Sequence, residues 1–377
     1  MKFNNPMQRQ VFSIPQLIKQ QYADLEPKVR QVLATPEIFS IQRIVLTGCG
    51  DSYAAALAVK HIFELVTDIP AEVVPTIDLA RYYHPKQMGF APANPLVIAV
   101  SNSGAVARIG EAVQYVNKHG AFSLGITGSP DSFLGKHASR ILGLNIPEFE
   151  ASPGVRTYMV SVMALLLLAI RIGEVRGKYT MNQAQEYRED MLTQADILEQ
   201  LLPEMDDRVA KIVDEWQGYS LFDFVGAGFD HAAAFYGHAK ILEATGKAAM
   251  QINSEEWLHL NFFAGNPDQI GTVVVANTTN PTISRTKEMI TYAARLGRPL
   301  MIISDAGEEF FEVPAHYIRV PKTKTQITMP LTQFTPMALL AGHLCECLGE
   351  EYGRGYKDNW AFCADGACVK DSKIIIR

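Results

Sequence analysis

The feature that most constrains the fold of this chain is an internal repeat in which one order of motifs occurs twice. The stretch "RIVLTGCGDSYAAALAVKHI" in the first half parallels "LFDFVGAGFDHAAAFYGHAK" in the second. Gly48 and Gly50 align with Gly226 and Gly228, and three alanines follow at the same spacing in both copies. Further on, "VIAVSNSGAVARIGEAVQYVNKHGAFSLGITG" parallels "VVVANTTNPTISRTKEMITYAARLGRPLMIISD". The repeat predicts two copies of one structural unit rather than a single large domain.

In each copy, short apolar strands alternate with helical stretches. The first copy contains the strands "RIVLTG", "AEVVPTI", "PLVIAVS", "AFSLGITG" and "RILGLNI". Helices are predicted between them from about Ser52 to Leu65 and from about Gly104 to His119, and a long apolar helix from about Val155 to Val175 follows. This alternation is typical of a parallel sheet covered by helices on both faces. We therefore predict the α/β class, with each copy forming a parallel-sheet three-layer α/β/α sandwich.

The length of the chain fits this organisation. Its 377 residues suffice for two domains, since domains usually contain about 100–200 residues. We expect an N-terminal helical segment plus the first copy in residues 1–190, and a connector helix plus the second copy in residues 191–355. The connector is the polar, charged stretch from about Met181 to Gln217. Residues 356–377 are predicted to form a C-terminal tail that contributes to the functional site.

Composition excludes several classes of partner. The net charge is −6, and acidic and basic residues are scattered, so neither a nucleic-acid face nor a polybasic membrane patch is expected. Residues 1–10 lack the apolar core of a signal peptide. The run Val160 to Ile170 is too short to span a bilayer and predicts a buried helix. We expect a cytoplasmic protein.

The five cysteines predict free thiols rather than a disulfide framework or a metal site. Cys345 and Cys347 are two positions apart in a helical stretch, so they point to different faces. Cys363 and Cys368 lack a matching pair of ligands, whereas a closed zinc site needs four. We expect no structural metal and no cofactor.

The turn "GCGDS" predicts an anion site, because it joins a strand to the N-terminus of a helix. A dinucleotide site fits poorly, since Tyr53 occupies the third glycine position of the fingerprint and Asp78 is somewhat late for the ribose-binding acid. A P-loop would require a Lys-Ser/Thr pair that is absent. A small phosphate or hydroxyl ligand fits Ser52. Alternatively, Asp51 or Ser52 only caps the helix.

A second polar turn, "SNSG" from Ser101 to Gly104, follows a neighbouring predicted strand. Ligands of open α/β sheets bind at the carboxyl ends of the strands, so the two turns favour one phosphate site built from neutral donors. The corresponding turns of the second copy read "GAGFDH" and "NTTNPT", where Pro281 removes one N–H donor. The first copy is therefore predicted to be the better phosphate site.

The motifs "TGCGDSYAAALAVKHIFE", "AVSNSGAVARIGEAV" and "GHAKILEATGKAAMQINSEEWLH" resemble the sugar isomerase (SIS) domain family. The resemblance extends from roughly residue 30 to the end, and its nearest architecture is the tandem-SIS isomerase half of glucosamine-6-phosphate synthases. It implies that a sugar 6-phosphate binds to Gly50 and Ser52 and to the second turn, Ser101, Asn102, Ser103 and Gly104. The family usually has Gln where this chain has Asn102 and Thr where it has Val106.

The resemblance also implies catalytic residues. "AKILE" resembles the family's "LKLKE", which makes Glu243 the base that moves a proton between C1 and C2 of an open-chain sugar, with Lys240 as a substrate-binding neighbour. "SEEWLH" resembles "GELKHGP", so His259 is implied to open the sugar ring, in the site of the other subunit of a homodimer. Leu260 and Asn261 stand where the family has Gly-Pro.

The C-terminal "VKDSKIIIR" resembles the family tail, in which a lysine forms a Schiff base with an open-chain ketose. Lys373 matches that position, and Lys370 is the competitor. Each residue also has a structural interpretation: Lys240 and Glu243 as a helical ion pair, His259 as a packed histidine, and Lys373 as a solvated tail residue.

The sequence thus favours a phosphosugar-binding aldose–ketose isomerase, acting on a hexose 6-phosphate, an amino-sugar 6-phosphate or a fructosamine 6-phosphate as an isomerase, deaminase or deglycase. The alternative is a non-catalytic phosphosugar sensor. A nicotinamide-dependent enzyme is a weaker option. Met1 is followed by Lys2 and the first cysteine is Cys49, so the N-terminal glutaminase domain of the synthases is not expected in this chain.

Overall fold

A computed structural model describes residues 2–88 and 95–376, and this part of the chain contains two five-stranded sheets. The strands of the first sheet are β1 (Ile44–Gly48), β2 (Ala71–Val73), β3 (Leu96–Val100), β4 (Phe122–Thr127) and β5 (Arg140–Gly143). Those of the second sheet are β6 (Leu221–Val225), β7 (Ala248–Ile252), β8 (Ile270–Val275), β9 (Leu300–Ser304) and β10 (His316–Arg319).

Both sheets have the same topology. The first has the order β2-β1-β3-β4-β5, and the second, taken in the corresponding direction, has the order β7-β6-β8-β9-β10. Every neighbouring pair of strands is parallel. The predicted α/β class and the duplicated parallel sheet are confirmed, and the repeat in the sequence is a repeat in the backbone.

Helices occupy the segments between strands and precede the first sheet. The α-helices are α1 (Pro6–Val32), α2 (Thr35–Ser40), α3 (Asp51–Thr67), α4 (Thr76–Arg81), α5 (Ala107–Lys118), α6 (Phe133–His137), α7 (Arg156–Val175), α8 (Met181–Trp216), α9 (His231–Thr245), α10 (Ser254–His259), α11 (Ile283–Arg295), α12 (Glu308–Phe311), α13 (Thr335–Cys347) and α14 (Ala367–Lys370). Short 3-10 segments are Pro85–Met88, Gly228–Asp230, Asn261–Phe263, Pro267–Gln269, Gln326–Leu331, Tyr352–Tyr356 and Asp358–Gly366.

The chain forms two compact units, each discontinuous in sequence. The first unit contains the first sheet and comprises Ile18–Glu148, Thr157–Glu189 and Ala361–Arg377. The second unit contains the second sheet and comprises Met1–Leu17, Phe149–Arg156 and Asp190–Trp360. Most of the predicted C-terminal tail thus belongs with the first sheet, whose residues precede it by more than two hundred positions.

The cores of the two units are built alike, because each buries the face of its sheet under the helix that follows the third strand. In the first unit, Val45 and Val97 pack with α5 residues Ala112 and Val116. In the second unit, a buried cluster joins β8, β9 and α11 through Val274, Ile302, Met289 and Ile290. Strands β1, β3 and β8 are buried along their whole length, as expected for sheets covered on both faces.

Among the element boundaries that differ from the sequence predictions, two have a local cause. The strand predicted across "AEVVPTI" ends at Val73, because Pro75 lacks a ladder N–H and instead precedes the first turn of α4. The helix predicted from Gly104 begins only at Ala107. Gly104 has a φ of +61°, which is incompatible with a right-handed helix, so Ser101 to Gly104 forms a separate turn.

Helix α7 is the predicted long apolar helix. It is long and apolar enough to cross a membrane by length and composition, but 83% of its most apolar window is buried inside the protein. All residues from Val160 to Ile170 are buried, which confirms the prediction of a core helix.

The expectation of five free thiols is wrong for one pair of cysteines. Cys363 and Cys368 form a disulfide, with their Cα atoms 5.1 Å apart. The 3-10 segment between Asp358 and Gly366 and the start of α14 bring them together, which their sequence spacing alone did not indicate. Cys49, Cys345 and Cys347 are free.

Candidate functional site

A cavity lies where the strand order of the first sheet reverses. β1 and β3 are hydrogen-bonded neighbours, with Gly48 opposite Val100, so the loops that follow them meet at one edge. The chain continues from β1 to β2 on one side and from β3 to β4 on the other. Such a switch point is the usual ligand-binding crevice of an open α/β sheet.

This cavity, termed the cradle here, has a volume of about 290 Å³. The residues that line it come from both predicted turns and from α7: Cys49, Asp51, Ser52, Ser101, Asn102, Ser103, Val106, Thr157 and Ser161. The structure therefore brings together the predicted phosphate-binding side chains Ser52, Ser101, Asn102 and Ser103. All of them belong to the first unit.

The first turn of the cradle depends on Gly50. Its φ of +55° lies in the left-handed region, and the Ser52 N–H donates to the Cys49 carbonyl, 3.1 Å away, as the chain enters α3. Gly228 occupies the same place in the second sheet and has the same φ of +55°. The alignment of these glycines in the sequence therefore reflects one turn geometry used twice.

The second turn is held by its own hydrogen bonds and by the loop after β4. The Gly104 N–H donates to the carbonyl and to the hydroxyl of Ser101, at 3.0 and 3.1 Å. The Gly128 N–H donates to the Asn102 carbonyl at 3.0 Å. A Cβ on Gly104 would lie 1.9 Å from the Ser132 hydroxyl oxygen, so only glycine fits here. The conformation of the turn is thus fixed by its internal hydrogen bonds and by the Gly128–Asn102 hydrogen bond to the loop after β4.

Two cradle hydroxyls come from α7 and were not predicted. Thr157 and Ser161 line the cavity from the first and second turns of this helix. They are four residues apart and so share a helix face. Val106, which has no hydroxyl where the resembling family has Thr, lines the same cavity. An i, i+4 pair of hydroxyl residues at the start of an otherwise apolar helix was the sequence signal that could have identified them.

The cradle offers mainly neutral donors. Among its lining residues, Asp51 alone is a carboxylate, and no lysine or arginine is present. Burial raises the pKa of the Cys49 thiol, while a hydrogen bond with Thr76 and the charge of Arg108 lower it. Cys49 therefore stays a thiol at neutral pH, and the hydroxyl and amide groups carry the binding chemistry.

Lys240 and Glu243 lie on α9 of the second unit. The Lys240 side chain is completely buried and its Nζ is 2.5 Å from Glu243 Oε2, whereas the Glu243 side chain is 43% exposed. The ammonium also lies 5.1 Å from the centre of the Tyr236 ring. This contact orients the Glu243 carboxylate and leaves part of it open to a ligand.

His259 is the last residue of α10 in the second unit and is 64% exposed. Its Nε2 is 3.2 Å from Glu255 Oε1, and Glu255 in turn is 2.6 Å from Arg285 Nε. The Glu255 carboxylate thus lies against one ring nitrogen of His259, and its contacts with Arg285 and His259 lower the pKa of Glu255. His259 is therefore not the packed core histidine of the structural interpretation.

The loop after His259 is tied to the buried Asp223 of β6. Asn261 Nδ2 donates to Asp223 Oδ1 and Trp257 Nε1 donates to Asp223 Oδ2, both at 2.8 Å. The Arg298 guanidinium donates to the Asn261 carbonyl at 2.6 Å. Burial raises the pKa of Asp223, while these hydrogen bonds and Arg298 lower it. Asn261, which departs from the family pattern, therefore gives the loop an anchor of its own.

Lys373 lies in the tail that belongs to the first unit, and its side chain is exposed. Arg108 of α5 donates hydrogen bonds to its carbonyl and, at 3.1 Å, to the Ser372 hydroxyl. Lys370, the competing lysine, ends α14. The chain thus places the cradle and Lys373 in one unit, and Lys240, Glu243 and His259 in the other.

The corresponding edge of the second sheet is filled by its own side chains. Asp230 is 2% exposed, and its carboxylate accepts hydrogen bonds from the Asn277 side chain at 2.7 Å and from Asn280 at 2.8 Å. The Asn277 N–H also donates to it, at 3.1 Å. Burial raises the pKa of Asp230 to about 6, because its effect is larger than that of these hydrogen bonds, which lower the pKa. A carboxylate of the chain thus takes the donors that would otherwise face a bound anion.

The chain is similar to known proteins over most of its length. A family model described as SIS domain matches residues 37–171, which include both cradle turns. The glutamine–fructose-6-phosphate aminotransferase [isomerizing] of Thermotoga maritima is 24% identical over 317 residues, which are 81% of this chain and 49% of that protein. The Thermococcus kodakarensis protein of the same name is 24% identical over 92% of this chain and 56% of its own. The chain spans about half the length of such curated relatives.

Solved structures share the fold. The C-terminal domain of glucosamine-fructose-6-phosphate aminotransferase from Francisella tularensis matches with a TM-score of 0.81 at 16% identity, covering 93% of this chain and 98% of that one. Tagatose-6-phosphate ketose/aldose isomerase from Escherichia coli matches with a TM-score of 0.71 at 17% identity, covering 92% and 94%. The predicted tandem SIS architecture is confirmed.

Proposed function

We propose that this chain, whose residues 37–171 match the SIS domain model, binds a sugar 6-phosphate in the cradle and interconverts its aldose and ketose forms. One observation carries the proposal: the switch point of the first sheet is an open cavity lined by five hydroxyl side chains and one amide, Ser52, Ser101, Ser103, Thr157, Ser161 and Asn102. A phosphate is recognised by such converging donors at strand ends and helix N-termini.

The two switch points differ in a way that supports this assignment. In the second sheet, the Asp230 carboxylate accepts the hydrogen bonds of Asn277 and Asn280, and its charge would repel a bound anion. In the first sheet, the aligned position is Ser52, a donor. The phosphate is therefore assigned to the first unit.

Glu243 is proposed as the base. Its partly exposed carboxylate takes a proton from C2 of the open-chain aldose and returns it to C1 through an enediol, and the reverse path gives the aldose. Lys240 orients the carboxylate from its buried position on the same helix. His259 is proposed to move the ring-opening proton, and its exposure is compatible with a role in the site of a second copy in a homodimer.

Lys373 is proposed to form an imine where the open-chain substrate is a ketose, either fructose 6-phosphate or a fructosamine 6-phosphate. Its ε-amine would add to the C2 carbonyl of the open chain, and one water would be released. An isomerase acting on a hexose 6-phosphate, and a deaminase or deglycase acting on an amino-sugar or fructosamine 6-phosphate, share these steps.

The test is solvent exchange at the sugar carbons. The purified chain is incubated in D₂O with fructose 6-phosphate, glucosamine 6-phosphate or a fructosamine 6-phosphate, and deuterium at C1 and C2 is followed by NMR. We expect exchange with at least one sugar. Glu243→Gln should lower its rate by about 10²–10⁴-fold while the Kd of the sugar phosphate changes less than about threefold.

Glu204→Gln is the matched control, because Glu204 is also an exposed helical glutamate paired with a basic residue, Arg208, at 2.7 Å. We expect the Glu204→Gln chain to exchange deuterium at the wild-type rate. Equal rates in the two variants would contradict the role of Glu243. Binding of the sugars without exchange in the wild-type chain would instead favour the phosphosugar sensor.

A further inference from the structure

The C-terminal tail is attached to α5 of the first unit by polar contacts of its backbone. The Ile375 N–H donates to Glu111 Oε2 at 2.9 Å. Arg108 Nη2 donates to the Lys373 carbonyl and to the Ser372 hydroxyl. The tail is thus held at two points, one on each side of the Lys373 side chain, by residues that precede it by about 264 positions.

Glu111 is a buried carboxylate whose partners include the tail. Its side chain is 0% exposed, its Oε1 is 2.7 Å from Arg81 Nε, and its Oε2 contacts Arg108 Nη1. Burial raises the pKa of Glu111, but the hydrogen bonds from Arg81 and from the Ile375 N–H, with the charge of Arg108, bring it below its ordinary value. A buried charge requires such partners, so the docked tail completes the site of Glu111.

The same arginine lies next to the cradle. Arg108 is in the first turn of α5, two residues after Val106, which lines the cavity. Its charge also reaches Cys49, another cavity residue, because it contributes to lowering the pKa of that thiol. Arg108 therefore contacts the tail with one part of its guanidinium and lies two residues from Val106, which lines the cradle.

We propose that Arg108 and Glu111 are positioning residues that dock the C-terminal tail on α5 and thereby hold Lys373 beside the cradle. The functional part of this inference rests on the proposed imine at Lys373, and the docking itself does not. Arginine suits this role because its planar fork can bind a carboxylate and a second acceptor together, which a lysine ammonium cannot do in the same geometry.

The docking is tested without any substrate. Limited trypsin digestion of the full chain, followed by mass spectrometry, measures cleavage after Lys370 and Lys373. We expect Arg108→Gln to accelerate this cleavage at least tenfold. Arg140→Gln is the matched control, because Arg140 is an exposed arginine of the same unit paired with Glu37 at 3.0 Å, and wild-type cleavage is expected there.

A second variant guards against a folding effect of Arg108→Gln, which leaves the buried Glu111 with one cation fewer. Ile375→Pro removes the N–H that Glu111 accepts and leaves α5 unchanged. It should accelerate cleavage after Lys373 by at least fivefold. Tail cleavage within twofold of the wild-type rate in both variants would overturn the docking.

The positioning role is tested by incubating the chain with fructose 6-phosphate and adding borohydride, which reduces an imine between the sugar and a lysine to a stable amine. We expect the adduct on Lys373 in the wild-type chain. In Arg108→Gln, its yield and kcat should fall at least tenfold while KM changes less than threefold, because the phosphate contacts remain.

The outcomes separate the two proposals. Unchanged trapping and kcat in an Arg108→Gln chain whose tail is released would overturn the positioning role. An adduct on Lys370 would do the same. If trypsin cleaves the tail faster in Arg108→Gln but the wild-type chain gives no adduct, the docking of the tail on α5 is supported and the imine at Lys373 is rejected.

Discussion

Replacing Gly104 with alanine is expected to damage the cradle more than a comparable change elsewhere in the same unit. Gly104 has a φ of +61°, and its Cβ would lie 1.9 Å from Ser132 Oγ and 2.9 Å from Thr127 Oγ1. An L-residue in the left-handed region costs roughly 1–2 kcal/mol. Overpacking against a fixed neighbour adds about 1–3 kcal/mol. The free energy of unfolding is therefore expected to fall by about 2–5 kcal/mol, unless the turn moves to relieve the clash.

Gly120→Ala separates the two effects. Gly120 follows α5, has a φ of +80°, and has no heavy atom within 4 Å of a built Cβ. This variant should show only the backbone cost of roughly 1–2 kcal/mol. The difference between the two variants, about 1–3 kcal/mol, then measures the contact with Ser132. Adding Ser132→Gly to Gly104→Ala should recover most of that difference, because it removes the clashing hydroxyl.

The assays are urea unfolding followed by circular dichroism and titration calorimetry with fructose 6-phosphate. We expect the Kd of Gly104→Ala to rise at least tenfold and that of Gly120→Ala to stay within twofold of the wild type. A Gly104→Ala chain that unfolds at the same urea concentration as Gly120→Ala and binds the sugar equally well would contradict the clash with Ser132.

Three further predictions concern Ser52, Asp230 and Asn261. Ser52→Ala should weaken fructose 6-phosphate binding about tenfold to a hundredfold by calorimetry, because a hydrogen bond to a charged group contributes about 1.5–3 kcal/mol; an unchanged Kd would remove Ser52 from the cradle's donors. Burial raises the pKa of Asp230 to about 6 in the folded chain, whereas the pKa of an unfolded Asp is about 3.9, so protonation favours the folded state between these values. In urea unfolding, the free energy of unfolding of the wild type should rise relative to that of Asp230→Asn by up to roughly 3 kcal/mol as the pH falls from 7 to about 4. The same pH dependence of stability in both chains would contradict this. Asn261→Ala should leave Asp223 short of a donor, lower stability by about 1–3 kcal/mol and accelerate amide hydrogen exchange at His259; protection equal to the wild type would refute the anchor.

Much of the fold could be predicted because its signals are local. Strand β1 and the helix after it were expected from an apolar β-branched run, a glycine turn and an alanine-rich stretch, and the structure has them at Ile44–Gly48 and Asp51–Thr67. The connector expected from about Met181 to Gln217 is α8, which ends at Trp216. The start of α5 was misplaced, because Gly104 has a left-handed φ of +61° and the helix begins only at Ala107.

The candidate site was predictable only where its residues sit in turns. Ser52 and the second turn were found because polar side chains follow two apolar strands, and parallel strands bring those ends to one edge. Thr157 and Ser161 were missed, because their i, i+4 spacing indicates a shared helix face but the tertiary structure decides that this face lines the cradle. The disulfide between Cys363 and Cys368 was missed for a similar reason, since the backbone path between them decides whether the sulfur atoms meet.

The sequence by itself determined that one strand-turn-helix scaffold occurs twice, because glycine positions and hydrophobic periodicity are encoded residue by residue. The missing N–H of Pro281 favoured the first copy as the phosphate site, and the tertiary structure decided that the first switch point is an open cavity whereas the second is filled. That choice depends on whether distant side chains fill the switch point, as Asn277 and Asn280 do with Asp230 in the second sheet. It also decided that the tail docks on Arg108 and Glu111, since contacts across more than 260 residues are set by packing and charge burial rather than by local pattern.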